Sequence, residues 1–230
     1  TATGSWTNGV ATAVAVTASA TRATTPDGPF NASFGIAPAD SDGVAMAAFD
    51  MASAPGGVND RATVGSVPLR FGRLRLSSAV GPADRALPLP VTAQYWSGST
   101  WDTNTLDSCT TVPVTAFNFG NLMRSITTAD TAASSGITLS SGRGLLKLAA
   151  PASGHVGTYD VALSLGSTAT DASCLQPWTP GTGDAATAGA NLAFLRGAWC
   201  GSSYGNDPSA RATFGQPSTQ QNLVYRRENY

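Results

Sequence analysis

The chain has 230 residues, a formal net charge of −1, and 12% charged residues, where an average globular domain has about 25%. So weak a field excludes capture of a polyanion by bulk electrostatics, and nucleic acid is not an expected partner. Thr, Ser, Ala and Gly dominate, while Lys147, Glu228 and His155 each stand alone as their type, a composition that disfavours helix and favours strand.

Taken in chain order, residues 10–19 (VATAVAVTAS) alternate small polar and apolar positions and predict a strand. A TTPDGPF turn precedes a second strand over 31–36. PADSDG (38–43) turns the chain into a third strand over 44–51, and SAPGGVND forms a loop. The clearest signal is 67–80, VPLRFGRLRLSSAV, with Leu74 and Leu76 on one face and Phe71, Arg73 and Arg75 on the other. Residues 87–96, LPLPVTAQYW, also alternate, with Pro88 and Pro90 on the outer parity. Prolines inside a strand point to a sheet edge. SGST (97–100) then turns into Trp101, so 87–103 reads as a hairpin. Further strands are expected at 112–119, 137–139, 144–149, 158–165, 192–199, 211–215 and 222–228. Short strands spaced by turn clusters predict an all-β, Ig-like or Greek-key β-sandwich, here as two packed sandwich subdomains. The expected division is an N-terminal β-rich subdomain over 1–58 and a C-terminal β-sandwich domain over 59–230.

No apolar run approaches the roughly 18–20 residues that cross a bilayer as a helix, so no transmembrane segment is expected. The chain does not begin with Met, which reads as a processed product or a piece of a longer protein.

Candidate chemistry is sparse. A glycosidase usually needs two facing carboxyl groups, and the single Glu228 lies two residues from the C-terminus. A Ser-His-Asp triad must use His155, with Asp160 nearby, and no G-x-S-x-G elbow accompanies it. A nucleophile at Cys109 would draw on the same histidine. No catalytic residue and no cofactor are therefore expected. Asp40, Asp42 and Asp50 outline a calcium loop, but position 12 is Met51 where an EF-hand needs a bidentate Glu. The other reading is an Asx-rich turn, with structural calcium as the alternative.

Cys174 and Cys200 bracket a loop-rich segment, each near a tryptophan (Trp178, Trp199). A disulfide closing such a loop contributes about 3 kcal/mol through the unfolded chain, and it implies an oxidising compartment. An aromatic packed over the bridge is expected. Cys109 is then left as an unpaired or intermolecular thiol. Trp96 and Trp101 bracket the hairpin tip, either facing a glycan or protein ligand or packing across the strands. Val224, Arg226, Arg227 and Tyr230 lie on a terminal strand that either guards a sheet edge with charge or pairs with a partner.

The run RFGRLRLSSAVGPADRALPLPVTAQYWSGSTWDTNTLDSCT (70–110) resembles a segment of the MshQ-like proteins. These are encoded with mannose-sensitive haemagglutinin (MSHA) type IV pili of Gram-negative bacteria. FGIAPADSDGVAMAAFD (34–50), LRGAWCGSSYGNDPSARATFG (195–215) and LVYRRENY (223–230) fit the same pattern. The resemblance implies a secreted or cell-surface protein. Longer members often carry a lectin-like sandwich further upstream, and sugar binding located there does not carry over to these residues. Many members are Asp-rich where this chain has 199–207; here Cys200, Ser202 and Ser203 stand there and Asp207 remains, which argues against calcium at that loop. The expected function is a non-enzymatic cell-surface or pilus-associated protein with an adhesive or structural role. Its expected partners are pilus or surface proteins, itself, or a glycan. The alternatives are a self-assembling fibre subunit joined by strand addition and a carbohydrate-binding module.

Overall fold

A computed structural model describes residues 2–7, 10–17, 19–36, 62–175 and 185–215. Within them regular structure is nearly all strand. β1 (Ala2–Thr7) and β2 (Val10–Val16) pair antiparallel, as do β3 (Phe30–Ile36) and β4 (Ala62–Leu69). The next ten strands are β5 (Gly72–Leu76), β6 (Ala79–Gly81), β7 (Leu87–Trp96), β8 (Trp101–Thr103), β9 (Thr111–Val112), β10 (Phe117–Arg124), β11 (Ile137–Thr138), β12 (Arg143–Leu148), β13 (Gly157–Leu163) and β14 (Ser209–Phe214).

Two four-stranded sheets make a β-sandwich. One has the order β12-β7-β5, with β8 on the end of β7; the other runs β10-β13-β14-β6. β9 and β11 form a short separate ladder. Alternation explains the first sheet: Leu87, Leu89, Val91 and Ala93 of β7 are buried, and so are Leu74 and Leu76 of β5. The second sheet answers with Phe117, Tyr159, Val161, Leu163 and Phe214, all in one apolar cluster with the first set. Full burial of each such aliphatic side chain contributes about 1.5–3 kcal/mol.

The structure corrects several expectations. The run 67–80 is three strands, because the chain changes partner twice. β4 pairs with β3, β5 with β7, and β6 runs parallel beside β14 in the other sheet. A period-2 pattern carries no information about which strand lies alongside. β7 is also central in its sheet rather than at the edge. Pro88 and Pro90 are accommodated because β5 pairs only with the 91–95 half of β7, leaving β12 as the ladder partner of the proline half. Residues 112–119 break at Pro113, and a short 3-10 helix, Val114–Ala116, precedes β10. Residues 192–199 are not a strand. A 3-10 helix, Ala193–Leu195, closes on itself through Leu195 N–H to Leu192 O at 2.7 Å. The expected strands at 44–51 and 222–228 lie outside the described residues, as do Asp40, Asp42, Asp50, Val224, Arg226, Arg227 and Tyr230.

Candidate functional site

The core takes one side of the β5–β7–β8 sheet and leaves the other for different residues. Register places Arg73 opposite Gln94, Gln94 opposite Thr103, and Trp96 opposite Trp101. The hairpin that aligns the two indoles turns at 97–100, where Ser97 N–H donates to Thr100 O at 2.9 Å. Gly98 has φ 104°, a left-handed conformation that a side chain would strain. Trp96 and Trp101 stand 5.7 Å apart between ring centroids, so they do pack across the strands. Both remain half-buried.

Arg73 lies over Trp101 and beside Trp199. Its guanidinium carbon is 3.9 Å from the Trp101 centroid and 4.9 Å from that of Trp199, and its Nε donates to Gln94 Oε1 at 2.9 Å. Burial lowers its pKa from the usual arginine value, while the indole faces offset part of the lost hydration through their quadrupoles. Arg70 stacks on Tyr95 at 4.3 Å and donates to Asn104 Oδ1 at 2.8 Å.

Phe71 shares the outer parity with Arg73 yet is buried. Arg22, from the segment before β3, covers it at 3.9 Å and Tyr204 meets it edge-on at 5.1 Å. Arg22 donates to the carbonyls of Gly72 (2.8 Å), Arg196 (2.9 Å) and Tyr204 (3.2 Å). Burial pushes its pKa down to about 10, against the opposing pull of Tyr204 and Asp27.

Trp199 and Tyr204 reach this face on a loop that closes between Gly197 and Asn206 through two backbone hydrogen bonds, 2.9 and 3.1 Å. Gly197 is required there: a Cβ would stand 2.5 Å from Trp199 Cε2. The Cys174–Cys200 disulfide, with Cα atoms 5.6 Å apart, ties the loop to the segment after β13. Trp199 lies against Gly197 and Arg73; Trp178 is outside the described residues. Asp207 anchors the loop's end. Fully buried, it accepts from Leu165 N–H (3.1 Å), Ala172 N–H (2.9 Å), Arg196 Nε (2.7 Å) and Arg196 Nη2 (3.3 Å). Both its oxygens are engaged by donors, with the Arg196 guanidinium supplying the opposite charge.

Residues 70–229 match the family described as DUF6701, fourth domain. The chain belongs to that family. The arginine–indole face, the disulfide and the Asp207 anchor all fall inside the matched stretch, whereas Arg22 reaches in from outside it. No curated protein and no solved structure matches the chain.

The remaining candidates of this DUF6701 domain resolve into separate places. His155 pairs not with Asp160 but with Asp130, Nδ1 to Oδ2 at 2.8 Å. Asp160 instead takes a two-pronged contact from Arg211, 2.8 and 3.0 Å, which raises the arginine pKa. Asp130 belongs to a T-x-x-D capping pattern around the 3-10 helix Thr128–Asp130. Burial works against its charge, but donors from Ala152 N–H, His155 and Thr127 outweigh it and hold the carboxyl well below the usual carboxylate range. Tyr159, stacked on Phe214, titrates above the ordinary phenol range through burial and then the Asp130 charge. Cys109 is exposed and free. It lines a groove of about 570 Å³ with Arg22, Phe30, Leu106 and Phe194. Among the described residues no group of three or more His, Cys, Asp and Glu could hold a metal ion.

Proposed function

We propose that this domain is a non-enzymatic module of a Gram-negative cell-surface assembly, associated with type IV pili, with an adhesive or structural role. The observation that carries the reading is the Cys174–Cys200 disulfide, since such bonds persist in oxidising, extracytoplasmic compartments. The resemblance of 34–50, 70–110, 195–215 and 223–230 to MSHA-linked proteins supplies the pilus. Two further features support the absence of catalysis. His155 is tied to a buried capping carboxylate. Asp160 and Asp207 are each engaged by an arginine.

The test is location. Antibody against the domain is expected to label intact, unpermeabilised cells, and the protein is expected in the sheared pilus fraction. Labelling only after permeabilisation would remove the surface role. Surface labelling without any protein in the pilus fraction would remove the pilus association alone.

A further inference from the structure

We propose that the outer face centred on Arg73 binds an anionic carbohydrate, with a sugar carboxylate seated on the guanidinium and a pyranose ring on Trp96. The inference deepens the adhesive reading above by naming the ligand class.

The first ground is unbalanced charge. The ion pairs of the described residues are Arg85–Asp84, His155–Asp130, Arg196–Asp207 and Arg211–Asp160. Arg70, Arg73 and Arg75 have no carboxylate partner among the described residues. Asp102, on the neighbouring strand, sits at the opposite parity from Trp101 and Thr103, and accepts from Thr100 Oγ1 at 3.2 Å. In a chain of net charge −1, Arg73 and Arg75 thus share the outer face of β5 without a carboxylate partner, whereas Arg70 stacks on Tyr95 at the opposite parity.

Preorganisation is the second. Arg73 is fixed by Trp101 and Trp199 beside its plane and by Gln94 on Nε. Its two Nη groups have no acceptor among the described residues. That edge of a guanidinium is a fork matched to a carboxylate, and little side-chain freedom remains to be lost on binding.

The third ground is the stacking surface. Trp96 is half-buried, with Trp101 its one ring neighbour among the described residues. Trp96 shares the outer parity with Gln94, which pairs with Arg73, and an indole on the same sheet face as a fixed cation suits the apolar face of a pyranose that carries an acid. Single-stranded nucleic acid also uses aromatics with arginines, but it needs a positively charged track along its backbone, and the low overall charge favours the sugar.

The experiment uses the full 230-residue chain and two matched probe pairs: tetragalacturonate with its methyl ester, and sialyllactose with lactose. Calorimetry measures affinity, and the tryptophan indole N–H signals in NMR report position. At least one acid is expected to bind and to shift the Trp96 and Trp101 signals, with its neutral counterpart weaker by about tenfold or more. Arg73→Gln and Trp96→Ala should each weaken binding about tenfold, and Arg73→Lys less, because charge survives without the fork. Arg85→Gln, at an exposed pair elsewhere, should change nothing. Unaltered melting curves certify each variant as folded; if Arg73→Gln melts early, Trp96→Ala and the NMR shifts decide. The proposal is overturned if neither acid binds at millimolar concentration, if acid and neutral probes bind equally, if both variants bind like wild type, or if oligothymidylate binds more tightly than either acid. A negative result would leave surface location standing, and a failed cell-labelling experiment would leave the binding result standing.

Discussion

The Asp207 anchor and the Arg73 face share the loop over 197–206, and they treat charge in opposite ways. At Asp207 a fully buried carboxylate meets four donors, and the Arg196 side chain beside it is 21% exposed. At Arg73 a half-buried cation meets indole faces and an amide oxygen, with no acid among the described residues. The first arrangement satisfies every strong interaction internally and so holds the loop in place. The second satisfies the guanidinium's face and leaves its edge open. Asp207 and Asp160 are internal fasteners, each with its own arginine, whereas Arg73 and Arg75 are left on an outer sheet face without an acid among the described residues. This contrast separates residues that maintain the fold from residues available to a partner.

Substitutions on the two sides should therefore differ most in what they damage. Asp207→Ala carries the largest expected cost. It strands the Arg196 guanidinium and two backbone N–H groups, and loss of one partner of a buried pair costs about 3–5 kcal/mol. Urea unfolding measures it; a loss under about 1 kcal/mol would show that the anchor is dispensable. Asp130→Asn comes next, at about 2–3 kcal/mol near neutral pH, from weakened charge-assisted hydrogen bonds. Its pH dependence has a definite sign. The folded carboxyl titrates below its unfolded value, so its contribution is complete above about pH 4 and is lost as pH falls from there towards the folded pKa. Thermal melts between pH 2 and 7 should show a steep acid limb in wild type and a flatter one in Asp130→Asn. Parallel limbs would assign acid sensitivity to other groups. The smallest effect belongs to Arg75→Gln, on the outer face and exposed: stability should stay within about 0.5 kcal/mol of wild type by the same melts, and a larger loss would mean that this face also maintains the fold.

How far the sequence could be read depended on the distance between partners. The β7–β8 hairpin was legible because its alternation and its turn residues are contiguous. The opposite parities of Leu74 and Arg73 were legible for the same reason. The cysteine pairing followed from the loop-rich segment that Cys174 and Cys200 bracket. The His155 partner was not legible: Asp160 is closer in sequence, but Asp130 lies at a separation of 25 and reaches the histidine through the 3-10 helix cap. Asp207 looked like the remnant of an acidic loop, because its donors on Leu165, Ala172 and Arg196 come from three separate stretches. The contacts of Trp199 with Gly197 and Arg73 had no signal in its place beside Cys200.

What the sequence determined by itself is the strand-rich class, the inward and outward parity of the strongest strands, and the disulfide. These follow from nearest-neighbour chemistry: side-chain alternation, turn residues and cysteine spacing. Tertiary structure alone decided which strands pair, where the run over 67–80 changes sheet, and which acids meet which cations. It also brought Trp199 and Tyr204 from a distant loop, and Arg22 from a segment before β3, onto the face that carries Arg73. Those contacts depend on chain closure over long separations, for which a local pattern holds no signal.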